Sequence, residues 1–306
     1  MNTTPLQRTE FKINSSANKR LWMAAIKPTM YSVAIMPIWL GTAVAFAETR
    51  KINFVTFGIF VAAAIFILAW ENISNDVFDS ETGIDIKKYH SLVNLTGNKT
   101  LVFWLGNLFL ALGLLGICTI SVWQQDLTVI GIILLCCAIG YVYQGPPFRL
   151  GYKGLGEILC FFPFGPLGLS AAYYSQTQSW SIANFAASAV VGIATCLILF
   201  CSHFHQVEED LAAGKRSPIV RLGTKTGAQV LILFTATIYL VSLVFVILGF
   251  FPVWTILSWL SLPYGVKLCR HVWENHDKPE KVSNCKFIAV ALHFWCCLLF
   301  GIGFVI

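Results

Sequence analysis

The chain has 306 residues, of which 57% are hydrophobic and 12% are charged, and its formal net charge at pH 7 is +6. Soluble domains carry about 25% charged residues. The composition therefore excludes an ordinary soluble globular domain and is typical of a protein that crosses a membrane several times.

Nine apolar segments follow one another along the chain, and each approaches the roughly 20 apolar residues that a transmembrane helix needs. Helices that are hydrophobic on all sides are buried in lipid or in other helices. We therefore predict an all-α polytopic membrane protein, with a cytoplasmic tail at 1–27 and a single bundle at 28–306. The predicted helices are 28–47, 53–71, 100–123, 127–144, 156–175, 181–204, 228–249, 251–269 and 287–306.

The basic residues predict the orientation of this bundle. If the N-terminus is cytoplasmic, nineteen of the 21 Lys and Arg residues lie on the cytoplasmic side, and Arg50 and Lys51 lie on the other. Cytoplasmic loops of membrane proteins are enriched in Lys and Arg. We expect the cytoplasmic segments to be 72–99, 145–155, 205–227 and 270–286.

The first of these segments contains the acidic stretch NDVFDSETGID at 75–85. If the preceding helix continues past Trp70, then Asn72, Asp76 and Asp79 lie on one helical face, at positions i, i+4 and i+7. Clustered carboxylates near hydrocarbon are costly unless a cation compensates them. A solvated helix end is the alternative interpretation.

A second acidic stretch, HQVEEDLAAGKRSPIVRLGTKTG at 205–227, begins where another apolar segment ends. In a helix Gln206 and Asp210 share a face, and Glu208 lies half a turn away. Carboxylate and amide oxygens with water suit Mg²⁺, which takes one or two carboxylates together with substrate phosphates. Two such walls on one side of the membrane predict a magnesium site.

Basic side chains accompany both walls. A diphosphate held by Mg²⁺ still has oxygens to pair, and Lys and Arg match that need. The alternative is that each of these residues only marks the cytoplasmic side. The candidate phosphate-binding residues are Lys87, Lys88, Arg149, Lys153, Lys215 and Arg216.

The two acidic stretches, at this spacing, resemble the two Asp-rich signatures of the UbiA-type intramembrane prenyltransferases, and more closely their naphthoate branch. ETGIDIKKYHSLVNLTGNKT at 81–100 and GPPFRLGYKGLGE at 145–157 are most similar to the phytyl-transferring members of phylloquinone synthesis in cyanobacteria and plastids. The resemblance covers residues 27–306. It implies that 28–306 is an intramembrane prenyltransferase domain.

The resemblance also implies a reaction. Mg²⁺ held by Asp76 and Asp79 on one wall, and by Glu208 and Asp210 on the other, would bind an allylic diphosphate and neutralise charge as its C–O bond breaks. A ring carbon of 1,4-dihydroxy-2-naphthoate would attack the resulting cation, with loss of CO₂ and a proton. Asn72 would orient the carboxylates or complete a metal shell. Asn75 is assigned the same role.

One departure from the family pattern concerns the second wall. Many relatives have Asp where this chain has Gln206, and a basic residue where it has His205. The second wall therefore carries fewer charges here. We expect Gln206 to be a neutral ligand or support of the second magnesium site.

Other functions remain open from the residues alone. A menaquinone-type polyprenyl transferase and a homogentisate prenyltransferase are alternatives within the family. A secondary transporter is less favoured, because transporters place ionisable residues near the middle of the bilayer. We expect the inner or thylakoid membrane of a photosynthetic prokaryote as location, the bilayer and the two substrates as partners, no nucleic acid and no obligate protein partner.

Overall fold

The computed structural model describes residues 15–84 and 91–306, with side chains from residue 19 onward. Within these ranges the regular elements are helices, which confirms the all-α prediction. The longer ones are α1 (Ser15–Ile26), α2 (Tyr31–Thr49), α3 (Phe54–Thr82), α5 (Lys99–Gln124), α6 (Thr128–Gln144), α8 (Gly168–Thr177), α9 (Ile182–Ser202), α12 (Thr224–Ile247), α13 (Leu262–Asn275) and α15 (Cys285–Val305). The shorter ones are α4 (Leu92–Thr96), α7 (Gly156–Phe162), α10 (Val207–Ala212), α11 (Pro218–Leu222) and α14 (Pro279–Val282).

The predicted number of nine membrane helices is not confirmed. Over the described part of the chain, seven helical stretches are long and apolar enough to cross a membrane, and the apolar helix α6 is shorter. The eighth predicted segment, 251–269, is not one α-helix: a 3₁₀ stretch at Val253–Ser261 leads into α13. The predicted tail is also partly ordered, because α1 lies within it.

Helix α3 is the element that carries the first acidic stretch. Its start is capped by Asn53, whose side chain accepts a hydrogen bond from the Thr56 amide at 3.0 Å, and it ends at Gly83, which has a φ of 78°. With 29 residues, the helix is about 43 Å long. A hydrocarbon core is about 30 Å thick, so at least one end of α3 projects beyond it.

The helical stretch formed by α7 and α8 is interrupted near its middle. Pro163 and Pro166 lie in a wide helical turn at Pro163–Leu167, because proline cannot donate to the preceding turn. Gly165 lies directly against α9: a Cβ atom there would approach the Ser188 carbonyl oxygen to 2.8 Å. The interruption therefore depends on close backbone packing.

The bundle has two main apolar cores. The larger joins α2, α9, α12, α13 and α15, and the smaller joins α3, α5 and α6 with parts of α2 and α8. Large apolar side chains such as Leu115 and Ile247 are exposed on the outer surface. Lipid covers such surfaces in a membrane, so the exposed side chains agree with an integral membrane protein.

Three segments meet at one end of the bundle, which we call the acidic end. They are the last turns of α3, the connection 145–155 between α6 and α7, and the connection 203–223 between α9 and α12. The Arg216 amide donates to the Tyr152 carbonyl oxygen at 2.8 Å, and Arg149 contacts Glu81 at 2.8 Å. These contacts bring both predicted acidic walls to the same end of the molecule.

Candidate active site at the acidic end

Helix α3 continues through the first acidic stretch, so its polar residues lie on neighbouring positions of one helix. Asn72 and Asn75 line an internal cavity of about 290 Å³. One turn further on, Asp76 is buried and only 1% exposed, whereas Asp79 is partly exposed. The helix therefore carries polar groups from the cavity to the acidic end.

Asp76 is held by contacts from two other segments. The Leu92 amide donates to its Oδ2 at 2.9 Å, and the Lys27 ammonium lies 3.8 Å from its Oδ1. Lys27 precedes α2, where it adopts a left-handed conformation with a φ of 51°. A cation and an amide donor beside a buried carboxylate offset part of the cost of burying its polar oxygens.

Asp79 contacts the second segment through Tyr152. The Tyr152 hydroxyl lies 2.7 Å from Asp79 Oδ1, to which it donates, and 2.8 Å from the Thr82 hydroxyl. Burial and the Asp79 charge raise the pKa of Tyr152 above its ordinary value. The phenol therefore keeps its proton and acts as a donor to the carboxylate.

Tyr152 also contacts the third segment. The Lys215 ammonium lies 5.7 Å from the centre of the Tyr152 ring, which is a cation–π distance. The Tyr152 carbonyl oxygen accepts a hydrogen bond from the Arg216 amide. Tyr152 thus connects one predicted metal ligand, Asp79, with two predicted phosphate-binding residues, Lys215 and Arg216.

Asp210 is the buried carboxylate of the second wall, with 0% exposure. Its Oδ1 lies 3.3 Å from Lys215 Nζ, and its Oδ2 lies 3.3 Å from His203 Nδ1. Neither contact has hydrogen-bond geometry. Burial alone would raise the pKa of Asp210, but His203, Lys215 and the Ser217 hydroxyl outweigh it, and the pKa is lowered. Asp210 is therefore ionised at neutral pH.

The other predicted residues of the second wall lie in different settings. Glu208 is exposed on α10. Gln206 does not continue α9, because a 3₁₀ turn at His203–His205 ends that helix. Gln206 instead precedes α10, and its carbonyl oxygen accepts from the Asp210 amide at 2.7 Å.

The predicted phosphate-binding residues also divide into groups. Arg149 and Lys215 are half-buried and already paired with Glu81 and Asp210. Lys153 and Arg216 are exposed at the surface of the acidic end. Lys87 and Lys88 lie outside the residues that the structure describes.

The carboxylates suit a magnesium site by their chemistry. Nowhere in 15–84 and 91–306 do three His, Cys, Asp or Glu side chains converge closely enough to hold a metal ion. Mg²⁺ that binds with a phosphate substrate uses one or two carboxylates and completes its shell with phosphate oxygens and water. Asp76 and Asp79 supply two carboxylates on one wall, and Asp210 supplies one on the other. The Asn72 amide nitrogen, buried without a partner, adds an unused polar group nearby.

The cavity continues from this polar region into the apolar bundle. Along α3 its lining begins at Phe60 and ends at Asn75, a separation of about 22 Å. Most other lining groups are apolar or small and come from α2, α6, α7 and the proline-containing turn. They include Ala34, Pro37, Ile38, Ile133, Leu159 and Phe164.

Sequence reasoning missed several residues of this site. Tyr152 and His203 contact the predicted carboxylates, and Lys27 reaches Asp76 from the predicted tail. Glu71 and Gln144 line the polar part of the cavity. The sequence signal for Glu71 was a charged residue directly after an apolar run and one residue before Asn72.

Comparison with known proteins identifies relatives of this chain. The sequence profile described as the UbiA prenyltransferase family matches residues 34–300. A Synechocystis sp. protein named 2-carboxy-1,4-naphthoquinone phytyltransferase is 56% identical over 288 residues, 94% of each chain. The Arabidopsis thaliana chloroplastic protein of the same name is 38% identical, over 94% of this chain and 77% of its own length.

A solved structure shares the fold. A UbiA homolog from Archaeoglobus fulgidus, bound to DMAPP and Mg²⁺, has a TM-score of 0.64 and 17% sequence identity to this chain. The match covers 93% of this chain and 98% of that one.

Proposed function

The chain belongs to the UbiA prenyltransferase family, and we propose that it transfers the phytyl group of phytyl diphosphate to 1,4-dihydroxy-2-naphthoate, a step of phylloquinone synthesis. The observation that carries the proposal is the continuity of α3. One face of this helix lines an apolar cavity from Phe60 to Leu68, then presents Asn72 and Asn75, and ends with Asp76 and Asp79. A donor with a long apolar tail and a diphosphate head matches this face, with its tail beside the apolar part and its head beside the polar part.

The diphosphate binds at the acidic end in this proposal. Asp76 and Asp79 on α3, with Asp210 and Glu208 on α10, hold Mg²⁺, with Gln206 beside them. When bound, Mg²⁺ neutralises the charge of the diphosphate leaving group. Arg149, Lys153, Lys215, Arg216, Lys87 and Lys88 pair with the remaining phosphate oxygens.

The pairs seen at the acidic end suggest how binding proceeds. The Lys27 ammonium lies 3.8 Å from Asp76 Oδ1. The Lys215 ammonium lies 3.3 Å from Asp210 Oδ1. Both cations can turn toward a diphosphate when the carboxylates take other partners, because lysine is a flexible point charge. Tyr152 keeps Asp79 in a fixed orientation during this exchange.

The cavity holds the prenyl tail of the donor and the aromatic ring of the acceptor in position for the reaction. The bond between the allylic carbon of the donor and the diphosphate oxygen breaks, and an electron-rich ring carbon of the acceptor forms the new C–C bond. The ring becomes aromatic again by releasing its carboxyl group as CO₂ and a proton. The products are the phytylated dihydroxynaphthalene, CO₂, a proton and diphosphate, and the apolar lining keeps water away from the cation.

The location and orientation belong to the same proposal. The protein is an integral membrane protein, and we place residues 28–306 in an inner or thylakoid membrane as one prenyltransferase domain. The N-terminus and the acidic end face the cytoplasm, as the distribution of Lys and Arg favours.

A direct assay tests the function. Purified protein in lipid nanodiscs receives Mg²⁺, 1,4-dihydroxy-2-naphthoate under anaerobic conditions, and equal amounts of phytyl and octaprenyl diphosphate. We expect CO₂ release and a phytylated product in excess over the octaprenyl one, because about 22 Å of cavity lies along α3. Equal use of both donors would contradict the assigned donor. No ring product with either donor would contradict the function.

A further inference from the structure

The cavity has an apolar wall on α3 that ends at a single aromatic side chain. From the acidic end inward, the apolar lining residues of this helix are Leu68, Ile67, Ala64 and Phe60. Positions separated by three, four, seven or eight residues share one face of a helix, so these side chains form one continuous wall. Phe60 is the innermost of them and is only 1% exposed.

Two other helices meet Phe60 at the inner end of the cavity. Ile38 on α2 and Ile133 on α6 line the cavity and belong with Phe60 to the smaller apolar core. On the side away from the acidic end, this core contains side chains of α5 and α6 that are 0% exposed, namely Ile117, Ile120 and Val129. The cavity therefore ends against packed side chains, and we call this the closed end.

The distance from the closed end to the polar lining matches a phytyl tail. The polar lining begins at Glu71, for which Gly140 on α6, having no side chain, leaves space. Along α3, Phe60 lies about 18 Å from Asn72 and about 22 Å from Asn75. A zigzag carbon chain advances about 1.2 Å per bond, as an extended polypeptide does, so the phytyl main chain of about sixteen carbon atoms spans about 19 Å.

We infer that Phe60 sets the maximum length of the donor tail, because its ring closes the cavity at the point that the last isoprene unit of a phytyl tail reaches. The inference rests on the proposed function. A tail that is one isoprene unit longer either presses against Phe60 or holds its diphosphate away from the carboxylates. The first is unfavourable because a packed core resists added volume, and the second because the reacting groups lose their alignment.

The limit can be moved in both directions at this one position. A phenyl ring and an isoprene unit are of similar size, and a packed core collapses only partly around a deleted side chain. Phe60→Ala therefore lengthens the cavity by about one isoprene unit. Phe60→Trp places a larger ring system at the closed end and shortens the cavity.

Competition between donors measures the limit. The protein in lipid nanodiscs receives Mg²⁺, 1,4-dihydroxy-2-naphthoate under anaerobic conditions, and equal amounts of farnesyl, geranylgeranyl and geranylfarnesyl diphosphate. Each of these donors is one isoprene unit longer than the one before, and all have the same pattern of double bonds. The initial product ratio gives the ratio of kcat/KM values, which does not depend on how much of the protein is folded. The wild type should use geranylgeranyl diphosphate at least about tenfold better than geranylfarnesyl diphosphate, as exclusion from a closed pocket predicts.

Three variants and one control complete the design. Phe60→Ala should use geranylfarnesyl diphosphate to within about threefold of geranylgeranyl diphosphate. Phe60→Leu, which removes less volume, should lie between Phe60→Ala and the wild type. Phe60→Trp should use farnesyl diphosphate best. The control is Phe66→Ala on the same helix, because the Phe66 ring stacks on Phe109 of α5 with 5.8 Å between ring centres. This variant should keep the wild-type product ratio.

A binding measurement separates the length limit from turnover. Dissociation constants are measured without the ring acceptor for unreactive thiolodiphosphate analogues of the same three donors, in which sulfur replaces the bridging oxygen. The wild type should bind the longest analogue at least about tenfold more weakly than the middle one. Phe60→Ala should remove most of this difference.

The outcomes distinguish the two proposals. If the wild type makes ring product equally well from all three donors, the tail is not limited by Phe60, and the function stands. The same holds if the Phe60 variants keep the wild-type product ratio. If no donor gives a ring product, but the analogues show the limit and the Phe60 variants move it, the proposed function is wrong and the role of Phe60 stands. If there is neither product nor a length limit in binding, both proposals are overturned.

Discussion

The Tyr152 hydroxyl donates a hydrogen bond of 2.7 Å to Asp79 Oδ1. Through this contact the connection between α6 and α7 meets the last turns of α3, while the Tyr152 ring faces Lys215. A neutral phenol orients the carboxylate without replacing a metal. Asp79 is therefore fixed in position yet keeps oxygen lone pairs for a ligand.

The first prediction concerns this contact. Tyr152→Phe should lower kcat/KM about threefold to tenfold at limiting Mg²⁺, because a hydrogen bond to a charged group is lost. Saturating Mg²⁺ should restore much of the rate. Tyr174→Phe is a matched control, since the Tyr174 hydroxyl also donates to a carboxylate, Asp126, at 2.7 Å, outside the acidic end. If the Mg²⁺ concentration that gives half the maximal rate is unchanged in Tyr152→Phe, Tyr152 does not orient a metal ligand.

The second prediction separates chemistry from folding at α3. Asp76→Asn and Asp79→Asn should each reduce turnover by at least about tenfold, as loss of metal-site support does, while both proteins stay folded. In Asp76→Asn the new amide oxygen can still accept from the Leu92 amide. Ser80→Ala on the same helix, which removes a hydroxyl bonded to the Val77 carbonyl oxygen, is the control. Near-normal rates for both Asn variants across a Mg²⁺ titration would refute the metal assignment.

The third prediction uses the difference in burial within the second wall. Asp210→Asn should lower the free energy of unfolding by about 3 kcal/mol, because removing one partner leaves the half-buried Lys215 ammonium without its counter-charge. Glu208→Gln should leave thermal stability unchanged, because Glu208 is exposed, and should raise only the Mg²⁺ requirement. Melting temperatures and Mg²⁺ titrations of both variants check this. Equal melting temperatures would show that the Asp210 contacts contribute little.

The fourth prediction concerns orientation. Thr96→Cys and Ala212→Cys, both at exposed positions, should react with an impermeant thiol reagent only from the cytoplasmic side of oriented vesicles. Ser179→Cys, exposed at the other end, should react only from the opposite side. The background carries Cys118→Ala, because Cys118 is an exposed free thiol. Labelling of Thr96→Cys and Ala212→Cys from opposite sides would make a shared diphosphate site impossible.

Apolar periodicity and length predicted the helices well where the chain is continuous. The predicted helix 53–71 is longer in the structure, because α3 runs to Thr82. This meets the condition for Asn72, Asp76 and Asp79 to lie on one helical face. The positions at which helices break were harder to predict from the sequence, because they depend on local backbone geometry. Gly249 with a φ of 78° and Pro252 precede the 3₁₀ stretch, so the segment at 251–269 is not one regular helix.

Side-chain partners distant in sequence escaped prediction for a different reason. The contact between Tyr152 and Asp79 joins residues 73 positions apart, and the space that Gly140 leaves for Glu71 spans two helices. A single sequence records the residue types but not which faces of α3 and α6 meet. The metal roles of Asp76, Asp79, Glu208 and Asp210 remain predictions that the experiments above decide.

Helix α3 is about 43 Å long, whereas the hydrocarbon core is about 30 Å thick. The proposed donor has an apolar tail that dissolves in lipid and a diphosphate head that stays in water, so it partitions into the membrane before it binds. The enzyme samples its donor in two dimensions. The quantity that sets the rate is the mole fraction of donor among the lipids, so added lipid should slow the reaction by surface dilution, whereas added buffer should leave it unchanged.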